Sequence, residues 1–283
     1  MKSKYLLISF LFIFLFQHPM AAQGVKQIWG TTFGGGTDGG GILYSLKNDG
    51  TGFQKRHDFK VKYQGLGPNH NEMLEINGKF YGIAEAGGMY GKGILYEWNP
   101  ATTDFRKLAD FTEPIGVSPY GGIAVLDNKI YGMASLTGTR ANDSGAIIFE
   151  YDLLTNILSR KYTLAADGSG NYSAGLSAFN GVLYGIASRV GQSYKNIIFS
   201  FNPATNSFNT IKDLESNYGV PERSSFCFYN NKFYGHLRKT DNSSIAIYEL
   251  DPSTNSFTYK SEIGSGRVPI GRLTYLNGKM YGL

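Results

Sequence analysis

The chain of 283 residues has a single cysteine, Cys227, so it can build neither a disulfide framework nor a cysteine-based zinc site. Its longest apolar stretch, Leu6 to Phe16 broken only by Ser9, is about 11 residues and falls short of the ~20 a bilayer-spanning helix needs. After residue 23 the histidines are His57, His70 and His236, with no His-x-x-x-His or Glu-x-x-His pairing, so no metal site is expected. No Gly-x-Ser-x-Gly elbow supports a hydrolase triad. Charge of one sign is not concentrated either. The 27 Lys+Arg and 22 Asp+Glu give +5 without a basic run, which excludes nucleic acid as the expected partner. No segment of helical length shows the i, i+3, i+4, i+7 apolar pattern.

Glycine and aromatics are abundant: 37 Gly, 19 Phe and 20 Tyr. The glycines follow no Gly-X-Y period, which excludes collagen, and 42% hydrophobic residues exclude a disordered chain. Lys2 and Lys4, the apolar stretch, and the small residues from Gln17 to Gln23 form the pattern of a secretory signal peptide with cleavage near Ala22 or Gln23. The expected division is a signal peptide at 1–23 and a mature domain at 24–283. The expected location is secreted, at the cell surface or in the periplasm. No cysteine lies near the cleavage site to carry a lipid, and no transmembrane helix is expected in the mature chain.

A period organises that domain. An aromatic-glycine pair recurs at Trp29-Gly30, Tyr81-Gly82, Tyr131-Gly132, Tyr184-Gly185, Tyr234-Gly235 and Tyr281-Gly282, at intervals of 52, 50, 53, 50 and 47. Each of the first five pairs is followed by an apolar run, such as Ile94-Leu95-Tyr96 or Ile197-Ile198-Phe199. The unit reads as four short strands, a to d. Strands a and b join through Asn77-Gly78, Asp127-Asn128, Asn180-Gly181, Asn230-Asn231 and Asn277-Gly278, residues that tolerate the positive φ of a type I′ turn. Strands c and d join through turns such as Asn99-Pro100 to Asp104, where proline presets φ after an Asx residue. Four-stranded units repeating at about 50 residues predict an all-β fold, a β-propeller of about five blades. The first repeat lacks strand a and the last piece holds only a and b. Two arrangements stay open: the terminal strands close the ring, or the chain stops inside a sixth unit of a longer array.

The segments Trp29 to Gly35, Gly40 to Tyr44 and Pro119 to Ile123 resemble bacterial extracellular tandem repeats of the choice-of-anchor, GloVer-containing type, over about residues 27–283. The unit is more distantly similar to kelch propellers. The resemblance implies a secreted or surface-attached repeat protein and brings no catalytic residues with it.

The formal GxGxxG at Gly34 to Gly39 precedes a strand instead of a helix and reads as a b–c loop, so no dinucleotide or other cofactor is expected. Asp167 to Asn171 lacks the glycine and glutamate of a calcium loop and reads as a connecting turn. Cys227 reads as buried filler. Departures from the repeat mark candidate sites: Glu75, Glu85, His236 and Arg238 are polar where sibling repeats are small or apolar. Equivalent positions of successive blades form a ring, so these four are the catalytic candidates at a shared channel or mouth. Glu75 and Glu85 are the pair that glycoside cleavage would need. Tyr120, Tyr172 and Tyr218 fall in d–a connections and are the binding candidates, on one face of the ring. The expected role is a non-catalytic binding or display module for a glycan or an extracellular protein. The alternatives are a carbohydrate-active enzyme and a fragment of a longer repeat protein.

Overall fold

The computed structural model describes residues 27–68, 73–136, 145–164, 169–173, 175–189, 196–214, 218–221, 225–239, 243–264, 272–276 and 278–281. The signal-peptide segment and His70 lie outside them, as do Asp167 and Gly168 of the calcium-like segment. Blade one is β1 (Gln27–Thr31), β2 (Ile42–Lys47) and β3 (Gln54–Asp58). A one-turn helix, α1 (Val61–Gln64), follows it. Blade two is β4 (Leu74–Ile76), β5 (Lys79–Ala84), β6 (Ile94–Asn99) and β7 (Asp104–Asp110). Blade three is β8 (Val117–Leu126), β9 (Lys129–Ser135), β10 (Ala146–Asp152) and β11 (Ile157–Thr163). In blade four both β12 (Ser169–Ser173) and β13 (Ser177–Phe179) pair with β14 (Val182–Arg189), which continues to β15 (Asn196–Asn202) and β16 (Ser207–Asp213). Blade five repeats that plan with β17 (Tyr218–Pro221), β18 (Cys227–Tyr229), β19 (Lys232–Lys239), β20 (Ser244–Asp251) and β21 (Ser256–Gly264). Every pairing within these sheets is antiparallel, and the five blades form a β-propeller.

The turns behave as their residues dictate. Both central residues have positive φ in Asn77-Gly78 (51° and 77°), Asp127-Asn128 (50° and 59°) and Asn230-Asn231 (48° and 58°). That conformation matches the twist of the strands it joins. At the c–d turns, Asn99, Asn202 and Asp251 accept a backbone N–H two residues on, at 2.9–3.0 Å.

One contact accounts for the aromatic-glycine landmark. Each glycine faces, across the b–c ladder, an aromatic ring of strand c: Gly30 and Tyr44, Gly82 and Tyr96, Gly132 and Phe149, Gly185 and Phe199, Gly235 and Tyr248. A Cβ on these glycines would lie 2.2–2.6 Å from the ring's tip, so only glycine leaves the ring room to lie over strand b. A β-bulge stands immediately before the ring in all five c–d ladders, for example between Leu95 and Tyr96. The aromatic residue before the glycine points to the opposite face. Tyr81 therefore joins blade three residues Ile123, Ile130 and Ile147 in one core, while Tyr96 joins Leu43 and Phe59 of blade one in another. Tyr131 and Phe149, and Tyr184 and Phe199, divide between successive cores in the same way. Four such cores lie between the five blades.

Strand a is the inner strand. Leu176 N–H donates to Gly122 O at 2.9 Å, and Phe226 N–H donates to Ser177 Oγ at 3.1 Å, linking blades three, four and five. β22 (Thr274–Leu276) pairs with β23 (Lys279–Tyr281) and lies beside β18, where the Tyr275 ring stacks on Tyr229 at 3.6 Å. Of the two arrangements left open by the sequence, the structure thus gives the last strand a the partner β23. Among the described strands, β1 pairs with β2 alone.

Tyr96 is fully buried and cannot yield to a new methyl group. Gly82→Ala is expected to cost about 1–3 kcal/mol through overpacking. Gly264→Ala meets nothing within 4 Å and is expected to stay within about 0.5 kcal/mol of wild type in urea unfolding.

Candidate functional site

Because every ladder is antiparallel, the connections sort by end. The two-residue a–b turns and the c–d turns, six residues in blade one and four in blades two to five, occupy one end of the blades. The b–c and d–a connections, which run up to ten residues and more, occupy the other. Function concentrates where the chain is free to vary on a fixed scaffold.

In blades one and two these connections are held closely. Asp58, at the end of β3, accepts from Thr37 N–H at 3.3 Å and Thr37 O–H at 3.2 Å, and pairs with Lys55. Asp110, at the end of β7, accepts from Met89 N–H at 2.8 Å and pairs with Lys107. The residues after them, Phe59 and Phe111, are buried and donate N–H to Gly41 O and Gly93 O at 3.1 and 2.9 Å. An Asp-Phe pair therefore latches the b–c loop over the end of strand d. The Lys55 bond first, and the Thr37 bonds with it, hold the Asp58 carboxyl below its ordinary range. The first latch is thus intact above the ordinary aspartate pKa and lost as pH falls through the lowered one. Between the two loops sits α1. Gly88 N–H donates to Val61 O at 3.2 Å, and Gly67 N–H donates to Gly40 O at 3.4 Å. Gly67 lies under the Phe33 ring, 3.2 Å from the place of its absent Cβ.

The catalytic candidates are not brought together. Glu75 is exposed on β4 and pairs with Phe80, at the start of β5. Glu85 is half-buried just beyond the other end of β5. Five residues of strand separate those levels, about 16 Å at ~3.3 Å per residue. An inverting pair needs roughly 6.5–9.5 Å. His236 is buried on β19, 3% exposed and opposite Ile247, while Arg238, two residues on, is half-buried opposite Ile245. At blades three to five the inner strands touch directly. A Cβ on Gly175 would lie 2.3 Å from Gly122 N and 2.9 Å from Ser225 N, so the backbones of these three blades are in contact there. Among the described residues no cluster of three or more His, Cys, Asp or Glu side chains could hold a metal ion.

The binding candidates need a correction. Tyr120 is not in a loop: it lies within β8 opposite Met133 and is 4% exposed. Tyr172 and Tyr218 fall in β12 and β17, again strands, and their side chains lie outside the described residues. The reason is backbone satisfaction. In blades two, four and five strand b runs six to eight residues while β4, β13 and β18 cover only three, so the incoming chain pairs with the uncovered end. The pairs Val117–Ser135, Ser169–Arg189 and Tyr218–Lys239 do this in blades three to five, and the Leu66–Ala86 bridge does it in blade two. The three tyrosines share one end of the propeller in backbone position. Cys227 is buried on β18.

At the opposite end, acids are committed to structure. Glu97 accepts from Tyr81 O–H at 2.7 Å and Lys79 at 3.1 Å, and pairs with Arg106. Burial pushes its carboxyl up, but the Tyr81 and Lys79 bonds and the Arg106 charge outweigh that and leave it lowered. Glu150 and Glu249 repeat the arrangement with Tyr131 and Lys129, and with Tyr234 and Lys232. Burial and Glu249 push the Tyr234 hydroxyl up to about 12.

The sequence profile of a family described as Gloeobacter/Verrucomicrobia repeat matches residues 17–164, or 148 of the 283 residues. No curated protein matches. Solved structures of similar fold include a nidogen/laminin complex (TM-score 0.59, 11% identity, 90% of this chain and 84% of that one). TolB from Acinetobacter baumannii gives a TM-score of 0.54 at 13% identity, over 82% of this chain and 52% of that one. An oligogalacturonate lyase in complex with manganese gives 0.55 at 11% identity, over 84% and 62%. At these identities the likeness is one of fold.

Asp110→Asn, which removes the charge from the second latch, is expected to speed hydrogen exchange at the Met89 amide by about tenfold or more. Exchange in strand β6 should be unchanged. Equal acceleration in both places would mean that Asp110 supports the blade and not the loop.

Proposed function

This chain belongs to the Gloeobacter/Verrucomicrobia repeat family, and from that membership and the blade geometry we propose that it is a secreted, non-catalytic β-propeller that binds an extracellular partner. Residues 1–23 direct export and are removed, and residues 24–283 form the propeller. The partner meets the end that carries the b–c and d–a connections.

The observation that carries this reading is the contrast between the two ends. One is closed by short turns, and Glu97, Glu150 and Glu249 there are tied to tyrosine and lysine. The other presents long connections whose backbones are latched in place by Asp58 and Asp110. A fixed loop loses little freedom on binding, which favours recognition. The propeller fold does not separate binding from catalysis, since solved structures of similar fold include both a protein complex and a lyase. What weighs against a glycosidase is the separation of Glu75 from Glu85 by the length of β5.

Expression in a secreting bacterial host is expected to yield a chain starting near Gln23 or Gly24 by intact mass. Hydrogen exchange of that chain with a panel of cell-surface polysaccharides and secreted proteins should show protection in residues 32–41 and 59–68 without product release. Protection confined to the short turns, or turnover of a glycan that Glu75→Gln and Glu85→Gln abolish, would overturn the reading.

A further inference from the structure

Across blades one and two, the end with the long connections carries an exposed apolar rim. Phe33 (56% exposed), Tyr63 (56%), Met89 (67%) and Tyr90 (58%) come from three separate segments: two b–c loops and α1. The segments abut. Phe33 lies over Gly67, just after α1, and the residue before Met89 is hydrogen-bonded to Val61 of α1. A single exposed apolar side chain needs no explanation, but four on adjoining, latched segments form a patch of the kind that marks a binding surface.

Two lysines on and beside α1 are exposed at this rim. Lys60 and Lys62 are exposed and form no ion pair among the described residues, and the Lys62 ammonium stands 5.3 Å from the centre of the Tyr63 ring. The other cations nearby are committed, Lys55 to Asp58, Lys92 to Glu113 and Lys107 to Asp110. The acids outside those pairs are Asp38 on the blade-one loop, also exposed, and Glu85 at the start of the blade-two loop, half-buried.

We propose that this rim binds an acidic polysaccharide. The faces of its sugar rings lie on Phe33, Tyr63 and Tyr90, and its anionic groups meet Lys60 and Lys62. Flat aromatic faces match the apolar C–H faces of sugars, and ammonium groups on long stems reach acidic groups spaced along a polymer. Rings spread over three segments suit an extended chain better than a compact ligand. The inference rests on the binding role proposed above and names the class of ligand.

The test is surface plasmon resonance of residues 24–283 over immobilised alginate, with dextran as the neutral comparison. Alginate is expected to bind more tightly than dextran and to weaken as salt rises. Phe33→Ala, Tyr63→Ala and Tyr90→Ala should each weaken it by about two- to tenfold. Lys60→Glu with Lys62→Glu should weaken it and flatten its salt dependence. Leu154→Ala, at an exposed turn on the far end, should change nothing. Alginate binding that survives all three ring substitutions, or that equals dextran and ignores salt, overturns the inference. If no polysaccharide binds but a secreted protein protects the same rim from exchange, the ligand class is wrong and the binding role stands. If nothing engages this end, both fall.

Discussion

Each blade depends on a ring lying across a bare backbone. The glycine of the aromatic-glycine pair leaves the space, the aromatic residue of strand c fills it, and the bulge beside it lets the ring lean over. Because neighbouring residues of a strand point to opposite faces, the dipeptide serves two interfaces at once. Tyr81 packs toward blade three while Gly82 admits Tyr96 toward blade one. Buried aromatic side chains contribute about 2–3 kcal/mol each, and here they also fix how far apart successive blades sit. That is why the landmark counts blades.

This constraint made much of the architecture legible. A contact that admits only glycine leaves a mark in the sequence, and so does a turn that needs positive φ at Asn77-Gly78 or Asn230-Asn231. The d–a connections were different. β12 and β17 form by satisfying the backbone at the ends of β14 and β19, and backbone pairing imposes no side-chain pattern. For that reason the sequence around Tyr120 reads as a loop although the residue lies in β8. The place of the β22–β23 pair beside β18 likewise rests on long-range packing, with Tyr275 against Tyr229, that no local spacing encodes.

The candidate site was legible in part. Phe33 is the blade-one member of the column of positions, four residues after the landmark aromatic, that holds Glu85 and Arg238, and it stands on the exposed rim. An apolar residue in a column of mixed type gave no reason to single it out. The latches were visible as Asp58-Phe59 and Asp110-Phe111, 52 residues apart, yet an aspartate at a strand end has many ordinary uses. The structure gives them theirs: the phenylalanine anchors in the core between blades while the aspartate holds the neighbouring loop. Scaffold and latched loops are thereby built from one repeated unit.

The most direct measurement of the central contact is the α-proton chemical shift of Gly30, Gly82, Gly132, Gly185 and Gly235 by nuclear magnetic resonance. Rings lying over these backbones should move all five upfield of ordinary strand glycines, with nuclear Overhauser effects from each to the ring of Tyr44, Tyr96, Phe149, Phe199 and Tyr248 in turn. Unshifted α-protons without those effects would contradict the account.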